Sequence, residues 1–515
     1  MKLDLVPLSI RTLLQRSLLT TAFAVAPLCV HAEIRLPQVL SDHAVLQRDQ
    51  PIHLWGWATA GAEITARFRD QAVKTLTDAT GRWSLYLAPE PAGGPYELTL
   101  SGDGADVHLT DLLIGDVWLA SGQSNMEFPL SGFTKAPMQN SAQEIAAANH
   151  PRLRLLYVEH KSSDFPLSDT TKTWKTCTPE SASWFSAVAY FFGRAISTDE
   201  NVPVGLIDSS WGGTPADSWV SLNTLGTDAD LLPAFASRAT FADQLTDLNE
   251  TISAEKAADA AAEKAGKPKP WHPWHPEEGS WLPAGLYNGM IAPLTPLSIK
   301  GFLWYQGETN SSPDRAPHYA KLMRALIGDW RTHFAQGNLP FLFVQISSFN
   351  SPNENWGMIR DAQRRTLSVA NTAMAVTLDI GAADNVHPPD KQDVGARLAL
   401  AARQLVYGDT KLLASGPLFR QATTELLPNN TTALRVWFDD ASGLTTHGAP
   451  LTGFELAGDD LHFVPATARL DGATVVVWSE KLPQPRYVRY AWSGVVEHAL
   501  FNAAGLPAST FTSEP

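Results

Sequence analysis

Between residues 111 and 409, short apolar runs alternate with segments of helical periodicity, and this alternation restricts the fold more than any other feature of the chain. The apolar runs have the length and composition of strands buried on both faces and lie at 117–120, 204–207, 301–304, 341–344 and 375–378. Helical patterns lie between them, for example at 319–334, 356–369 and 393–406. The combination predicts an α/β domain with a mostly parallel sheet covered by helices.

The regions on either side are predicted to be all-β. In residues 33–110, polar and apolar side chains alternate, as in Trp83-Ser84-Leu85-Tyr86-Leu87, and glycines mark the intervening turns. Strand patterns return after residue 410, separated by turns rich in Asp and Gly. We therefore predict an N-terminal β-sandwich-like domain at 33–110, the α/β domain at 111–409 with a helical and aromatic insertion at about 225–285, and a C-terminal β-rich domain at 410–515.

Residues 1–32 have the pattern of a secretory signal peptide. Lys2, Arg11 and Arg16 supply positive charge, residues 18–28 are largely apolar, and small residues precede a cleavage position near Ala32. The apolar stretch is too short to span a bilayer comfortably. We expect a periplasmic or secreted product without membrane insertion. The formal net charge of −14 and the absence of a basic stripe argue against a nucleic-acid partner, and no pattern indicates an oligomeric state.

The hexapeptide Ser-Gly-Gln-Ser-Asn-Met at 121–126 directly follows the first apolar run. A serine in a turn after a strand lies at the open end of the sheet, and nearby backbone N–H groups can face a developing negative charge. Ser124 is therefore a candidate nucleophile. The alternative is an ordinary turn, because Met126 stands where the Gly-x-Ser-x-Gly elbow has its second glycine. The interpretation depends on partner residues elsewhere.

A serine nucleophile needs a base, and the base needs an orienting group. His387 follows the last apolar run and precedes a helical pattern, with Asp384 three residues before it. Asp384 could accept a hydrogen bond from one ring nitrogen and leave the other free for Ser124. Asp379 is a competing orienting residue.

Two further loops offer donors for an oxyanion. Gly212 and Gly213 follow the second apolar run, where glycine lets backbone N–H groups approach a ligand. Gln306 follows the third run and carries an amide donor; Asn310 is a second option and Glu308 could fix the loop. Each segment alone could be a plain turn. All four follow carboxyl ends of predicted strands, which is where open parallel sheets bind ligands.

Taken together, these segments resemble the sialate O-acetylesterase family of SGNH hydrolases. The matching motifs are Ser-Gly-Gln-Ser-Asn-Met at 121–126, Ser-Ser-Trp-Gly-Gly-Thr-Pro at 209–215, Trp-Tyr-Gln-Gly-Glu-Thr-Asn at 304–310 and His-Pro-Pro-Asp-Lys-Gln-Asp-Val-Gly at 387–395. Further similarity near residues 36–47 and 488–492 extends the resemblance over nearly the whole mature chain.

The resemblance implies a flavodoxin-like three-layer α/β/α SGNH hydrolase core with accessory all-β domains. It also implies a serine esterase that removes acetyl groups from carbohydrate hydroxyls through an acetyl-serine intermediate, with no metal and no cofactor. Ser124 would be the nucleophile, His387 the base and then the acid, and Asp384 its partner. Many relatives have an acidic residue two positions before the histidine, where this chain has Asn385. The orienting group therefore stays open between Asp384, Asp379 and a backbone carbonyl.

By the same resemblance, the oxyanion hole would combine the backbone N–H of Ser124, a glycine of the Gly212-Gly213 pair and the side chain of Gln306. Asn125, Glu308, Asn310 and Asp379 are possible supporting residues. Aromatic residues that could stack on a sugar are Trp211, Trp304, Tyr305, Trp271 and Trp274.

The substrate is an O-acetylated carbohydrate under this interpretation. Plant cell-wall glycans of the xylan or xyloglucan type are favoured, because secreted bacterial members of the family often serve polysaccharide breakdown. O-acetylated sialic acids are the alternative. A non-catalytic carbohydrate-binding protein is an alternative of another class, disfavoured because every candidate catalytic residue is present. A lipase is disfavoured because no long apolar lid is apparent.

Overall fold

The structure is a computed structural model that describes residues 33–272, 275–277, 279–428 and 430–514, without the side chains of residue 105 and residues 239–245. The predicted signal peptide at 1–32 and Trp274 lie outside the described residues. No helix in these ranges is long and apolar enough to cross a membrane.

The elements follow one another in three groups. The N-terminal strands are β1 (Val45–Gln47), β2 (Ile52–Trp57), β3 (Glu63–Phe68), β4 (Gln71–Leu76), β5 (Arg82–Leu87), β6 (Gly93–Gly102) and β7 (Ala105–Gly122). The middle of the chain has strands β8 (His150–Tyr157), β9 (Lys175–Cys177), β10 (Val204–Ser210), β11 (Gly301–Tyr305), β12 (Phe341–Gln345) and β13 (Thr372–Val376). Its helices are α1 (Ser124–Glu127), α2 (Ser141–Ala147), α3 (Pro179–Ser183), α4 (Ala187–Asp199), α5 (Leu222–Thr227), α6 (Leu232–Lys264), α7 (Tyr319–Phe334), α8 (Trp356–Thr366) and α9 (Gln392–Leu405). The C-terminal strands are β14 (Leu418–Leu426), β15 (Thr432–Asp439), β16 (Phe454–Ala457), β17 (Val464–Pro465), β18 (Thr467–Asp471), β19 (Thr474–Trp478), β20 (Tyr487–Tyr490) and β21 (Phe511–Thr512).

The central sheet has the strand order β13-β12-β11-β7-β10-β8-β9. Every neighbouring pair is parallel except β8 and β9. Strands β10, β11 and β12 are buried along their whole length, as expected where helices cover both faces of a sheet. The mixed α/β architecture predicted from the sequence is confirmed.

Two tryptophans establish that helices lie on both faces. Trp304 of β11 is paired with Ser121 of β7, so the two side chains point to the same face, and Trp118 points to the other. Trp118 packs edge-on against Phe192 of α4 at 5.0 Å, whereas Trp304 packs against Trp330 of α7 at 5.6 Å. Helix α9 packs on α4, and α8 packs on α7. The core therefore has three layers.

Strand β7 joins the N-terminal region to the core. Its first half pairs with β6 and β1, and its second half pairs with β10 and β11. The predicted domain boundary at residue 110 falls inside this strand. The N-terminal strands are therefore hydrogen-bonded, through one continuous strand, to the sheet that carries Ser124.

The C-terminal strands form two four-stranded antiparallel sheets, β14-β15-β19-β18 and β17-β16-β20-β21. The buried side chain of Arg360, on α8, anchors this region. Its guanidinium donates to the carbonyls of Ile346 and Ser347 after β12 and to those of Ser493 and Gly494 near the C-terminus. Burial lowers the pKa of Arg360 to about 9. One side chain thus holds the C-terminal region against the core.

Candidate active site

The tight turn after β7 presents Ser124 at the carboxyl end of the sheet. Gly122 has φ +138°, and a side chain there would collide with the carbonyl oxygen of Tyr305. Glycine is therefore required for the turn. The N–H of Gln123 donates to the same carbonyl at 3.0 Å, which ties the turn to β11. Ser124 itself is half-buried.

His387 meets Ser124 across the top of the sheet although 263 residues separate them. The distance between His387 Nε2 and Ser124 Oγ is 2.8 Å, a good hydrogen bond. Phe133 packs edge-on against the imidazole, with ring centroids 5.2 Å apart, and Phe128 lies behind it at 6.3 Å. The structure thus brings the predicted serine and histidine into contact.

The surroundings of His387 favour its neutral form. Burial and then the charge of Lys391 lower the pKa of His387 to about 4. Both causes act in the same direction, because removing water and adding a nearby cation each disfavour imidazolium. At neutral pH the ring is therefore uncharged, and Nε2 can accept the serine proton.

The prediction that Asp384 orients His387 is wrong in this structure. Asp384 is exposed, and within the described residues it makes no hydrogen bond to the imidazole, whose Nδ1 also lacks a partner there. The reason is local: the side chain of Asn385 accepts the backbone N–H of His387 at 2.9 Å, and the turn leaves Asp384 facing solvent. The competing residue, Asp379, forms a two-pronged ion pair with Arg397 at 2.7 Å.

Asn125 connects the serine turn to the histidine loop. Its side-chain Nδ2 donates to Glu308 Oε1 at 2.6 Å and to the carbonyl of Val386 at 3.0 Å, and its Oδ1 accepts from Lys391 Nζ at 2.6 Å. Val386 directly precedes His387. One fully buried amide thus fixes the relative position of Ser124 and His387.

Lys391 and Glu308 form the charged ends of this buried network. Burial lowers the pKa of Lys391 to about 7 and raises that of Glu308 above its ordinary value. The ammonium also lies over the ring of Phe128, 4.6 Å from its centroid. The sequence analysis missed Lys391. The available signal was a lysine four residues after His387, at the start of an apolar helical pattern where a charge is unexpected.

Two of the predicted oxyanion donors, at Ser124 and Gly212, lie side by side. An added Cβ on Gly212 would lie 3.3 Å from Ser124 Cβ, so the glycine leaves the space over the serine open. In the part of the chain that the structure describes, the backbone N–H groups of Ser124 and Gly212 have no hydrogen-bond partner. Gly213 is half-buried beside Gly212 and has a positive φ of 70°.

Gln306 is not available as a donor, which corrects the sequence prediction. Its Nε2 donates to the carbonyl of Thr214 at 3.2 Å and to Asn310 Oδ1 at 2.6 Å, which uses both amide protons. Its Oε1 accepts from the hydroxyl of Tyr319 at 3.0 Å. Asn310 Oδ1 also accepts from the backbone of Ala216. Gln306 and Asn310 thus connect the loop after β10 to the loop after β11.

Three of the aromatic residues suggested for sugar contact are buried. Trp304 and Tyr305 have no exposed surface, because β11 is central in the sheet, so neither can touch a substrate. Trp211 is 5% exposed and stacks on the ring of His160 at 4.5 Å. Trp271 is 82% exposed. The neighbouring His272 contacts Asp259 of α6, so the histidine packs this segment on the helix.

Glu127 and His160 form a polar rim beside Ser124 that the sequence analysis missed. Glu127 Oε1 lies 3.2 Å from His160 Nε2, and Glu127 Oε2 lies 2.8 Å from the position of an added Cβ on Gly212. Burial opposes a charge on His160, but Glu127 raises the pKa of the imidazole above its ordinary value. Glu127 directly follows the hexapeptide, and a carboxylate so close to Ser124 was the sequence signal that could have identified this rim.

Comparison with known proteins gives a consistent result. A family model described as carbohydrate esterase, sialic acid-specific acetylesterase, matches residues 269–404. The sialate O-acetylesterase of Rattus norvegicus is 31% identical over 436 residues, covering 77% of this chain and 77% of that protein. The Homo sapiens protein of the same name is 30% identical over 425 residues, with 75% and 73% covered. The crystal structure of a carbohydrate acetylesterase from Xanthomonas citri is similar with a TM-score of 0.79 and 36% identity, covering 94% of this chain and 100% of that one.

The fold and these likenesses define a carboxylic ester hydrolase that acts on acetylated carbohydrates. The chain belongs to the sialate O-acetylesterase family.

The exposed position of Asp384 gives a first prediction. Asp384→Asn should retain kcat/KM within about threefold of the parent enzyme, whereas an aspartate that orients a catalytic histidine costs roughly 10⁴-fold in kcat when changed to asparagine. Steady-state hydrolysis of 4-methylumbelliferyl acetate measures this, with His387→Gln as the inactive reference. An equal loss of kcat/KM in the two variants would show instead that Asp384 orients His387.

The environment of His387 predicts an unusual pH profile. Because its pKa is lowered to about 4, the neutral base persists as pH falls, and the acid limb of kcat/KM should have its midpoint well below the ordinary histidine value of about 6.5. Lys391→Met removes a charge that disfavours imidazolium, so the midpoint should move upward. Initial rates on the same ester across pH measure both, with the exposed Lys172→Met as a control. A parent midpoint at 6.5 or above would contradict the account.

Proposed function

We propose that this enzyme is a secreted serine esterase with an SGNH-type core that removes O-acetyl groups from neutral cell-wall glycans of the xylan or xyloglucan type, through an acetyl-Ser124 intermediate. The single observation that carries the serine mechanism is the 2.8 Å contact between Ser124 Oγ and His387 Nε2. The pattern of residues 1–32 supports export.

In the first step, Ser124 Oγ attacks the acetyl carbonyl while His387 Nε2 takes its proton. The bond from Oγ to the carbonyl carbon forms, and the carbonyl electrons move to the oxygen. The N–H groups of Ser124 and Gly212 are free to donate to this oxyanion. When the tetrahedral intermediate collapses, the bond to the sugar oxygen breaks, and that oxygen takes the proton from His387.

In the second step, water attacks the acetyl-serine. His387 Nε2 accepts a proton from the water as its oxygen bonds to the carbonyl carbon. Collapse of this intermediate breaks the bond to Ser124 Oγ, which recovers the proton from His387, and acetate leaves. The same pair of side chains performs both halves, because each half needs one base and one acid at the same place.

The lowered pKa of His387 suits the departure of a sugar. A sugar alkoxide is a strong base and a poor leaving group unless it is protonated. An imidazolium destabilised by burial and by Lys391 is a stronger acid than an ordinary one, so it gives up its proton more readily. Without a carboxylate beside the ring, the Asn125 network holds the loop of His387 in position instead. The site therefore functions as a serine–histidine pair on a rigid support.

The rim favours a neutral sugar. Glu127 lies next to Gly212, and Glu277 acts electrostatically on the same histidine, His160. A carboxylate and an imidazole are good partners for sugar hydroxyls, whereas an anionic sugar acid would meet two carboxylates, Glu127 and Glu277, against the single imidazole of His160. This observation supports cell-wall glycans over sialic acids. The names of the rat and human relatives support the second candidate, a sialate O-acetylesterase.

Acetate release from a panel of substrates tests the proposal. The panel contains acetylated xylo-oligosaccharides, acetylated xyloglucan fragments and O-acetylated sialosides. We expect the neutral glycans to give the highest kcat/KM. Faster release from the sialosides would replace the proposed substrate class with the second candidate.

Ser124→Ala serves as the blank in this panel. It should reduce kcat by roughly 10⁴-fold or more with the fold intact, because only a small hydroxyl is lost. Ser131→Ala is the matched control, since among the described residues that hydroxyl donates its hydrogen bond to the carbonyl of the adjacent Gly132. Acetate release by Ser124→Ala at the rate of the Ser131→Ala control would refute the serine mechanism.

A further inference from the structure

A cleft of about 490 Å³ lies between the N-terminal strands and the segment that precedes β11. Its N-terminal side is lined by Trp55, Trp57 and Trp83, together with the polar residues Asp78, Arg82 and Ser84. The volume and the mixture of aromatic surface with a few polar groups are those of a small-molecule site, and such sites occur preferentially between domains. The mechanism described above does not use this cleft.

The aromatic wall follows from the pairing of β2 with β5. In this antiparallel ribbon, Trp55 is opposite Ser84 and Trp57 is opposite Arg82. Directly opposite residues share a face, and so do alternate residues along a strand. One face of the ribbon therefore carries indole rings alternating with a hydroxyl and a guanidinium.

The wall is fixed in place by His53. Its Nδ1 donates to the carbonyl of Pro296 at 2.8 Å, and its Nε2 accepts from the hydroxyl of Ser84 at 2.8 Å. Its ring stacks between those of Trp55 at 4.9 Å and Tyr86 at 4.4 Å. Burial lowers the pKa of His53, which keeps the ring neutral in this arrangement. The ribbon is thereby held against residue 296, and the cleft is preformed.

Trp57 is the exposed element of the wall. It is half-buried, and the guanidinium of Arg35 lies 4.1 Å from its ring centroid. Arg35 covers one side of the indole and holds its orientation. The rest of the ring surface contributes to the cleft.

The cleft is separate from the catalytic residues. Ser124 follows the carboxyl end of β7, and His387 lies beyond the carboxyl end of β13. The wall of the cleft that comes from the core consists instead of Leu167 and Ser168, which precede β9, and of residues 292, 293 and 296, which precede the amino end of β11. The two sites therefore share no residue.

We propose that this cleft is a second carbohydrate-binding site that takes a neutral oligosaccharide. A pyranose ring presents an apolar face of C–H groups and a rim of hydroxyls. The partly exposed indole of Trp57 matches the face, and Arg82, Ser84 and Asp78 match the rim.

The charges in the cleft argue against an anionic ligand. Asp78 accepts hydrogen bonds from the backbone of Thr80 and Arg82, which lower the pKa of its carboxyl. It therefore stays ionised and offsets the positive charge of Arg82. An uncharged ligand with hydroxyl groups meets no like charge there.

A second site would raise the local concentration of glycan chains around the enzyme without any change in the chemistry at Ser124. The inference goes beyond the proposed function and does not depend on the ester reaction. If the substrate panel showed no acetate release, the proposal of a second binding site would be unaffected.

Calorimetric titration of the full chain carrying Ser124→Ala tests this site. The probes are xylohexaose, cellohexaose and sialyllactose. We expect at least one neutral oligosaccharide to bind more tightly than sialyllactose, and Trp57→Ala to weaken that binding by about tenfold or more, since loss of one base-stacking aromatic costs a comparable amount in nucleic-acid sites. In an otherwise unchanged chain, Trp57→Ala should leave kcat/KM on 4-methylumbelliferyl acetate unaltered.

Trp437→Ala is the matched control, because Trp437 is also half-buried on a β-strand, with Arg420 5.9 Å from its ring centroid. Arg82→Ala, a change at an exposed side chain, gives a second test should Trp57→Ala fail to fold. Unchanged titrations for the variants, equal losses in the Trp437 control, no binding of either neutral probe, or tightest binding of sialyllactose would each overturn the proposal.

Discussion

The site depends on the hydrogen bonds of one amide side chain, that of Asn125. Its Nδ2 donates to Glu308, in the loop after β11, and to the carbonyl of Val386, in the loop after β13, while its Oδ1 accepts from the ammonium of Lys391. These partners come from two separate parts of the chain, and both converge on the residue next to Ser124. A fully satisfied buried amide in a low-dielectric setting rigidifies its surroundings. The 2.8 Å contact between serine and histidine is a consequence of this arrangement.

The same network shapes the electrostatics of the reaction. Lys391 is buried close enough to His387 to disfavour a charge on the ring, and Glu308 limits the net charge of the pair. The histidine is thereby kept as a neutral base of low pKa. In the proposed mechanism, positioning by buried hydrogen bonds and tuning by a buried cation take the place of the carboxylate that a serine triad uses. This is why an exposed Asp384 is compatible with an intact site.

Much of the fold was predictable from the sequence, because strands buried on both faces leave continuous apolar runs such as those of β10 and β12. Ser124 and His387 were predictable for a related reason: turns at the carboxyl ends of parallel strands meet at one edge. The directions in which side chains point within loops were not predictable from the sequence. The prediction for Asp384 was not met because the side chain of Asn385 accepts the backbone N–H of His387, and the resulting turn leaves Asp384 exposed. The prediction for Gln306 was not met because its side-chain amide donates to Thr214 and Asn310. Spacing along the chain does not reveal such contacts.

If Ser124 is the nucleophile it becomes acetylated during turnover, and mass spectrometry after an acid quench detects the acetyl group. An activated ester such as phenyl acetate makes acylation fast, so the acetyl-serine intermediate accumulates. Acid then protonates His387, which stops hydrolysis of the intermediate. We expect one acetyl group on the peptide that contains Ser124, and we expect it to be lost on further incubation at neutral pH. Acetate release with no acetylated peptide, or with the acetyl group on another residue, would contradict it.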